Sequence, residues 1–183
     1  MNKYLGIYRI DSTRLQKWDY SWQGKYFVTM CTQGRAHYFG EISDGVMNLS
    51  EIGIETERQW LDTVSLRPDM NLKLHDFQVM PNHFHGIIEI GWNTFNNCRT
   101  TRYDESAEKK NKFGPQRKNL ASIIRGFKGS VARYARKNNI LFDWQPNYHD
   151  HLIRNDQEFF KIKRYIQNNV KNWKGDRFKR ISK

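Results

Sequence analysis

Cysteine is nearly absent: the 183 residues hold two, Cys31 and Cys98. That excludes a disulfide scaffold and a four-cysteine zinc site. Cys31 falls in an expected strand and reads as a small core residue. Long apolar runs are missing as well, none approaching the roughly 18 residues of a membrane span. Residues 1–6 lack the apolar stretch of a signal peptide, so a cytoplasmic, nucleoid-associated protein is expected. Acidic residues are scarce, 19 against 31 Lys and Arg, leaving a net charge of +12. Such an excess points to an anionic partner, nucleic acid first.

What is present argues for a folded chain. Hydrophobic content of 38% with 14% aromatic residues suits a globule with a proper core, and the length suits one domain over 1–183. The charge is uneven. Residues 1–98 are net −2, 99–137 net +9, 138–160 net −3 and 161–183 net +8. Two basic blocks on a nearly neutral body fit a phosphate track. The same residues also fit solubilising helix faces.

Strand formers fill residues 26–32. Residues 38–49 read as a hairpin, with Asp44-Gly45 supplying its tight turn. Ser50 is a suitable N-cap for a helix to about residue 66, with Ile52, Trp60, Leu61 and Val64 expected inside. Strands over 72–80 and 85–90 fold back at Pro81-Asn82. Residues 92–118 turn polar and read as a flexible insertion loop. A second helix starts near Asn119, with Leu120, Ile123, Ile124, Phe127, Val131 and Tyr134 at helical spacing. Gly126 and Gly129 weaken it by about 1 kcal/mol each relative to Ala, which suggests close packing there. A short strand over 147–154 precedes a last helix, capped at Asn155 or Asp156 and running to about Trp173. Without the hairpin and the last helix the order is βαββαβ. That predicts an α+β, ferredoxin-like (split βαβ) antiparallel sheet with helices on it.

His83-Phe84-His85 is the most informative short motif. On a strand the two imidazoles share one face and Phe84 points the other way. They read either as surface residues of a half-buried strand or as two corners of a metal site, since imidazole is the commonest protein metal ligand. On the last helix, Tyr165 lies about a quarter turn from the apolar stripe of Phe159, Ile162, Ile166 and Val170, and Asn169 is its i+4 neighbour. Tyr165 reads as an amphipathic residue at the core's edge or as a phenol facing a cleft. Joined, these residues compose a mechanism. A divalent ion on His83, His85 and the Asn169 oxygen would polarise a phosphate, and Tyr165 would attack phosphorus. Mixed nitrogen and oxygen donors suit Mg²⁺ or Mn²⁺, and Mn²⁺ tolerates imidazole better. A second pair, His149-Asp150-His151, is a rival on spacing alone.

The run Met80-Pro81-Asn82-His83-Phe84-His85-Gly86 followed by an apolar strand resembles the HUH motif of single-tyrosine DNA transposases. Trp144 to Arg154 and Arg164 to Asn169 resemble the C-terminal blocks of that family. The stretch from Thr13 to Thr32 is similar to the branch called REP-associated tyrosine transposases. The resemblance covers residues 13–175 apart from the loop. It implies the ferredoxin-like fold, a Tyr165 nucleophile and a metal held by His83, His85 and Asn169. Asp150 and His151 match the recurring block and are expected to support the site or the fold; His149 does not match it. The family usually has proline after that asparagine, whereas Val170 stands here.

The expected function is a transposase or strand transferase. It would cleave and rejoin single-stranded, hairpin-bearing DNA through a 5′-phosphotyrosine. The expected grip on DNA comes from Arg14, Trp18, Arg125, Lys128, Arg133, Lys161 and Arg164 and from the tail over 171–183, with Trp18, Tyr20 and Trp22 as stacking rings. Two alternatives stand beside it: a domesticated DNA-binding protein of the same fold that no longer cuts, and a metal-dependent phosphodiesterase using water. No membrane partner is expected. The chain would act as a monomer or homodimer, with the tyrosine completing its own site or its partner's.

Overall fold

The computed structural model describes residues 18–96 and 117–175. Arg14, Cys98 and most of the insertion loop and basic tail lie outside these residues. Four strands form the main sheet: β1 (Gly24–Cys31), β4 (Leu72–Met80), β5 (His83–Ile90) and β6 (His149–Ile153). Their spatial order is β4-β5-β1-β6, and every neighbouring pair is antiparallel. β1 and β4 therefore run the same way with β5 between them, and β5 and β6 run the same way with β1 between them. Helix α1 (Glu51–Ser65) connects the first of these pairs and α2 (Leu120–Lys137) the second. These are two interleaved split βαβ units, the ferredoxin-like arrangement expected from the element order. The hairpin β2 (Gly40–Ser43) and β3 (Val46–Leu49) stands apart as its own two-stranded sheet. Its turn places Asp44 at φ 53° and Gly45 at φ 74°, the paired positive values a two-residue hairpin turn needs.

Strand alternation divides the sheet into two faces. Tyr26, Val28 and Met30 of β1 and Phe84, Ile88 and Ile90 of β5 point towards α1 and α2 and form the main core with Trp60, Ile123, Ile124, Phe127 and Val131. Ser50 Oγ caps α1 by accepting from Gly53 N at 3.2 Å. The buried side of α1 runs through Ile52, Thr56, Trp60 and Thr63, so Leu61, expected inside, is 52% exposed. It stands about 100° round from Trp60, off the face that meets the sheet. Val64 is partly buried against the core. α2 opens on a capping box: Asn119 Oδ1 accepts from Ser122 N at 3.0 Å, and Ser122 Oγ accepts from Asn119 N at 3.1 Å.

The opposite face carries a smaller apolar cluster and the last helix, α3 (Asp156–Asn168). Ile87, Ile153 and Ile166 are buried there, with Phe27, Phe159 and Ile162 packed around them. α3 ends at Asn168 rather than near Trp173, and a short 3₁₀ turn follows at Trp173–Gly175. Among the described residues, no helix is long and apolar enough to cross a membrane.

Candidate functional site

The alternation that sends Phe84 into the main core puts His83 and His85 on the α3 face. Both are buried, at 0% and 1% exposure, with ring centroids 4.5 Å apart. Their outer nitrogens are held from behind. Asn82 Nδ2 donates to the Arg35 carbonyl at 3.2 Å, which fixes the amide and turns Oδ1 towards His83 Nδ1 at 2.8 Å. An acceptor at that position requires the proton on Nδ1, so Nε2 of His83 carries the lone pair. Thr29 Oγ1 lies 2.8 Å from Nδ1 of His85. In the tautomer whose Nδ1–H donates to that hydroxyl, Nε2 of His85 is likewise the lone-pair nitrogen, the form a metal ligand needs. Ligating histidines are oriented in this way, by a hydrogen bond from the far nitrogen to an oxygen.

Tyr165 meets this pair. Its hydroxyl is 3.2 Å from His85 Nε2, and its ring lies edge-on to Phe27, which stacks on His85. The tyrosine remains 40% exposed while both imidazoles are buried. Asn169 caps α3 one turn on, with helical backbone (φ −64°, ψ −41°) and 2% exposure. The helix thus ends with Asn169 in place although Val170 stands where proline is usual. The buried Nδ2 of Asn169 makes no hydrogen bond among the described residues. Trp173 closes this end, with its ring 6.0 Å from His83 and 5.6 Å from His37.

The donor set fits a divalent cation. Two imidazoles present Nε2 lone pairs, and a buried carboxamide lies at the end of the facing helix. Among the described residues no third His, Cys, Asp or Glu joins them. Asn169, buried at the end of α3, offers a neutral oxygen as a further donor. Two nitrogens with one neutral oxygen suit Mn²⁺ better than Mg²⁺, which prefers an all-oxygen shell.

The remaining expected residues scatter. Asp150 pairs with Val28 and so faces the main core, away from the imidazoles. His151 and His149 share the site face of edge strand β6, opposite Phe27 and Thr29. His151 Nε2 is 2.7 Å from Glu158 Oε1, and the same carboxylate accepts from the Arg154 backbone N–H at 2.8 Å. Those two contacts, the backbone one first, hold the Glu158 carboxyl below its ordinary value. Trp18 donates its indole N–H to Tyr26 Oη at 3.0 Å and packs edge-on to Trp22, while Tyr20 stacks on Tyr26. These rings are engaged within the fold.

Arg125, Lys128 and Arg133 lie on α2, behind the sheet from the histidines. Lys128 Nζ donates to the carbonyls of Gln145 and Asn147 at 2.7 and 2.8 Å. Burial pulls its ammonium down to about 8. Lys161 and Arg164 are exposed on α3 beside Tyr165. Sequence reasoning missed Thr29 and Asn82. Asn82 adjoins the histidine motif and could have been flagged, but Thr29 reaches His85 through strand register.

No protein-family model matches the chain. An uncharacterized protein of Haemophilus influenzae is 35% identical over 172 residues, covering 93% of each chain. Among solved structures, a REP-associated tyrosine transposase bound to a REP hairpin superposes with a TM-score of 0.55 at 16% identity, covering 91% of this chain and 74% of that one. At that identity the likeness establishes a shared fold, which agrees with the resemblance drawn from the motifs.

Proposed function

This chain belongs to one family with the Haemophilus influenzae protein and has the fold of a REP-associated tyrosine transposase; from that premise we propose that it is a DNA strand transferase. It cleaves and rejoins single-stranded, hairpin-bearing DNA through a 5′-phosphotyrosine on Tyr165, with Mn²⁺ or Mg²⁺ held by His83, His85 and Asn169. The observation that carries this reading is the Tyr165 hydroxyl 3.2 Å from His85 Nε2, beside a second imidazole, His83, whose Nδ1 is likewise held by an oxygen. Tyr165 is 40% exposed yet its hydroxyl meets a buried histidine, as suits a nucleophile that must be reachable by substrate and next to charge-stabilising groups.

His83, His85 and Asn169 would hold the ion, which when bound would supply positive charge at the phosphate. Tyr165 Oη forms a bond to phosphorus as the bond to the 3′-oxygen breaks. The phenol proton passes to water, which reaches the exposed ring, and the leaving 3′-oxygen takes a proton from solvent. Attack by another 3′-hydroxyl reverses the step and releases the tyrosine, so the phosphodiester is conserved. Lys161 and Arg164 present charge beside Tyr165 for the DNA backbone. The hairpin bound by the structurally similar transposase supports a substrate of this kind.

The test is incubation of the protein with labelled single-stranded hairpin DNA and Mn²⁺, followed by denaturing electrophoresis. An adduct is expected with wild type and none with Tyr165→Phe. Cleavage without an adduct, retained in the variant, would replace this reading with hydrolysis by water. Binding without cleavage would identify a silent DNA-binding protein.

A further inference from the structure

Strand β4 contains a bulge that changes what one carboxylate can reach. Leu74 pairs with Ile88 and Phe77 with Gly86, so His75 and Asp76 together stand opposite Ile87. Strict alternation from Leu74 would send Asp76 into the main core and Phe77 out of it. The extra residue keeps Phe77 against the core and turns Asp76 to the α3 face. There Asp76 Oδ1 accepts from Gln167 Nε2 at 2.7 Å, and Oδ2 lies 3.3 Å from Lys163 Nζ.

Lys163 and Gln167 flank Tyr165 in sequence, each two residues away and so roughly 200° round the helix. Asp76 therefore holds one flank of α3 against edge strand β4 while Tyr165 reaches His85 from the other. Apolar packing of Phe159, Ile162 and Ile166 holds α3 on the sheet, and Asp76 adds a directional contact on its flank. α3 fully buries one side chain, Ile166, whereas α2 buries six residues. Glu158 tethers the first turn of α3, far along the helix from the tyrosine.

We propose that Asp76 is a positioning residue: through Lys163 and Gln167 it sets the rotation of α3 that places the Tyr165 hydroxyl at His85. The inference rests on Tyr165 being the nucleophile. It makes the bulge in β4, rather than the apolar stripe of α3, the feature that orients the reacting oxygen.

The experiment compares wild type, Asp76→Ala and Asp76→Asn by three readouts. These are single-turnover adduct formation on saturating labelled hairpin DNA with Mn²⁺, affinity for the same DNA, and amide hydrogen exchange. Asp76→Ala is expected to slow adduct formation roughly ten- to hundredfold, the cost of a small misplacement of a reacting group. DNA affinity should be unchanged, and faster exchange should be confined to residues 156–169. Asp76→Asn keeps an acceptor for Gln167 and should fall between. Adding Gln167→Leu and Lys163→Met to Asp76→Ala should slow the reaction no further, because the contacts are already lost. An unchanged rate in Asp76→Ala overturns the proposal, as does exchange that rises throughout the sheet. If wild type forms no adduct, the proposed chemistry fails by itself. The exchange readout then decides the latch: loosening confined to α3 upholds it and unchanged α3 protection overturns it.

Discussion

Thr29→Val tests the orientation of the histidines with little disturbance of shape. Thr29 is buried in β1, between His85 on one side and His149 on the other. Valine keeps its volume and strand preference and removes one oxygen, the partner 2.8 Å from His85 Nδ1. A buried N–H left without an acceptor costs about 1–3 kcal/mol. Loss of such a partner behind a ligating histidine typically weakens metal binding about 10- to 100-fold.

The two effects separate in urea denaturation with and without Mn²⁺. At a metal concentration about 100 times the wild-type dissociation constant, wild type should gain about 2.7 kcal/mol. The variant, with affinity reduced about 10- to 100-fold, should gain only about 1.4 to 0.4 kcal/mol at the same concentration. Equal gains in the two proteins would refute the argument that Thr29 sets the lone pair of His85. No gain in wild type would refute the metal site itself.

Other consequences follow from particular contacts. Gly129 has open space where a Cβ would stand, so Gly129→Ala should raise stability by up to about 1 kcal/mol in thermal melts. At Gly126 a Cβ would meet the Arg67 guanidinium, which donates to the carbonyls of Thr63 and Ile123 at 3.3 and 3.4 Å. Gly126→Ala should therefore end about 1–2 kcal/mol less stable than Gly129→Ala. The Glu158 carboxyl is held below its ordinary 4.5, so its contribution is complete above that value and is lost as pH falls through the lowered one. Amide exchange in the first turn of α3 should quicken below about pH 4.5 in wild type and lose that dependence in Glu158→Gln. On DNA, Arg164→Ala should reduce the slope of log affinity against log salt by about 0.7–0.9. Lys128→Met should leave the slope unchanged and lower the melting temperature, because Lys128 holds two carbonyls of its own chain.

The topology was legible because patterning and caps agreed. Ser50 caps the helix expected of it, α2 starts beside Asn119 as expected, Asn155 is the one of the two candidates that caps α3, and β4 has the bounds read from its residues. The face shared by His83 and His85 follows from strand period alone. The misreadings have physical causes. Leu61 is apolar but stands off the buried arc of α1, which is completed by Thr56 and Thr63, residues that hydropathy does not flag. The apolar period of α3 continues through Val170 into the turns after Asn169, so periodicity overran the end of the helix. Trp18 and Lys128, expected at the DNA, also make contacts within the fold, with Tyr26 and with the loop before β6. Asp76 was invisible because a bulge shifts parity by one residue, and Leu72–Met80 carries no glycine or proline to mark it.

The site joins elements of very different anchorage, and this bears on the proposed reaction. His83 and His85 lie on β5, a central strand bonded on both sides, and each ring is fixed by a further hydrogen bond. Tyr165 lies on a helix that buries one side chain fully, packs Phe159 and Ile162 at partly exposed positions, and is tethered by polar contacts. Polar tethers at such positions open at lower cost than a packed apolar face does. The groups that stabilise charge in the cleavage step need a fixed geometry, which the strand provides. The group that stays bonded to DNA between cleavage and rejoining needs to be placed once and then free to travel with its strand. A helix seated by a short apolar stripe and the polar tethers of Asp76 and Glu158 allows both. On this argument, replacing partly buried Ile162 with a larger residue that packs α3 more firmly on Ile87 and Phe27 should preserve adduct formation and slow rejoining. Single-turnover assays with a second 3′-hydroxyl strand would measure this, and equal slowing of both steps would show that α3 need not move.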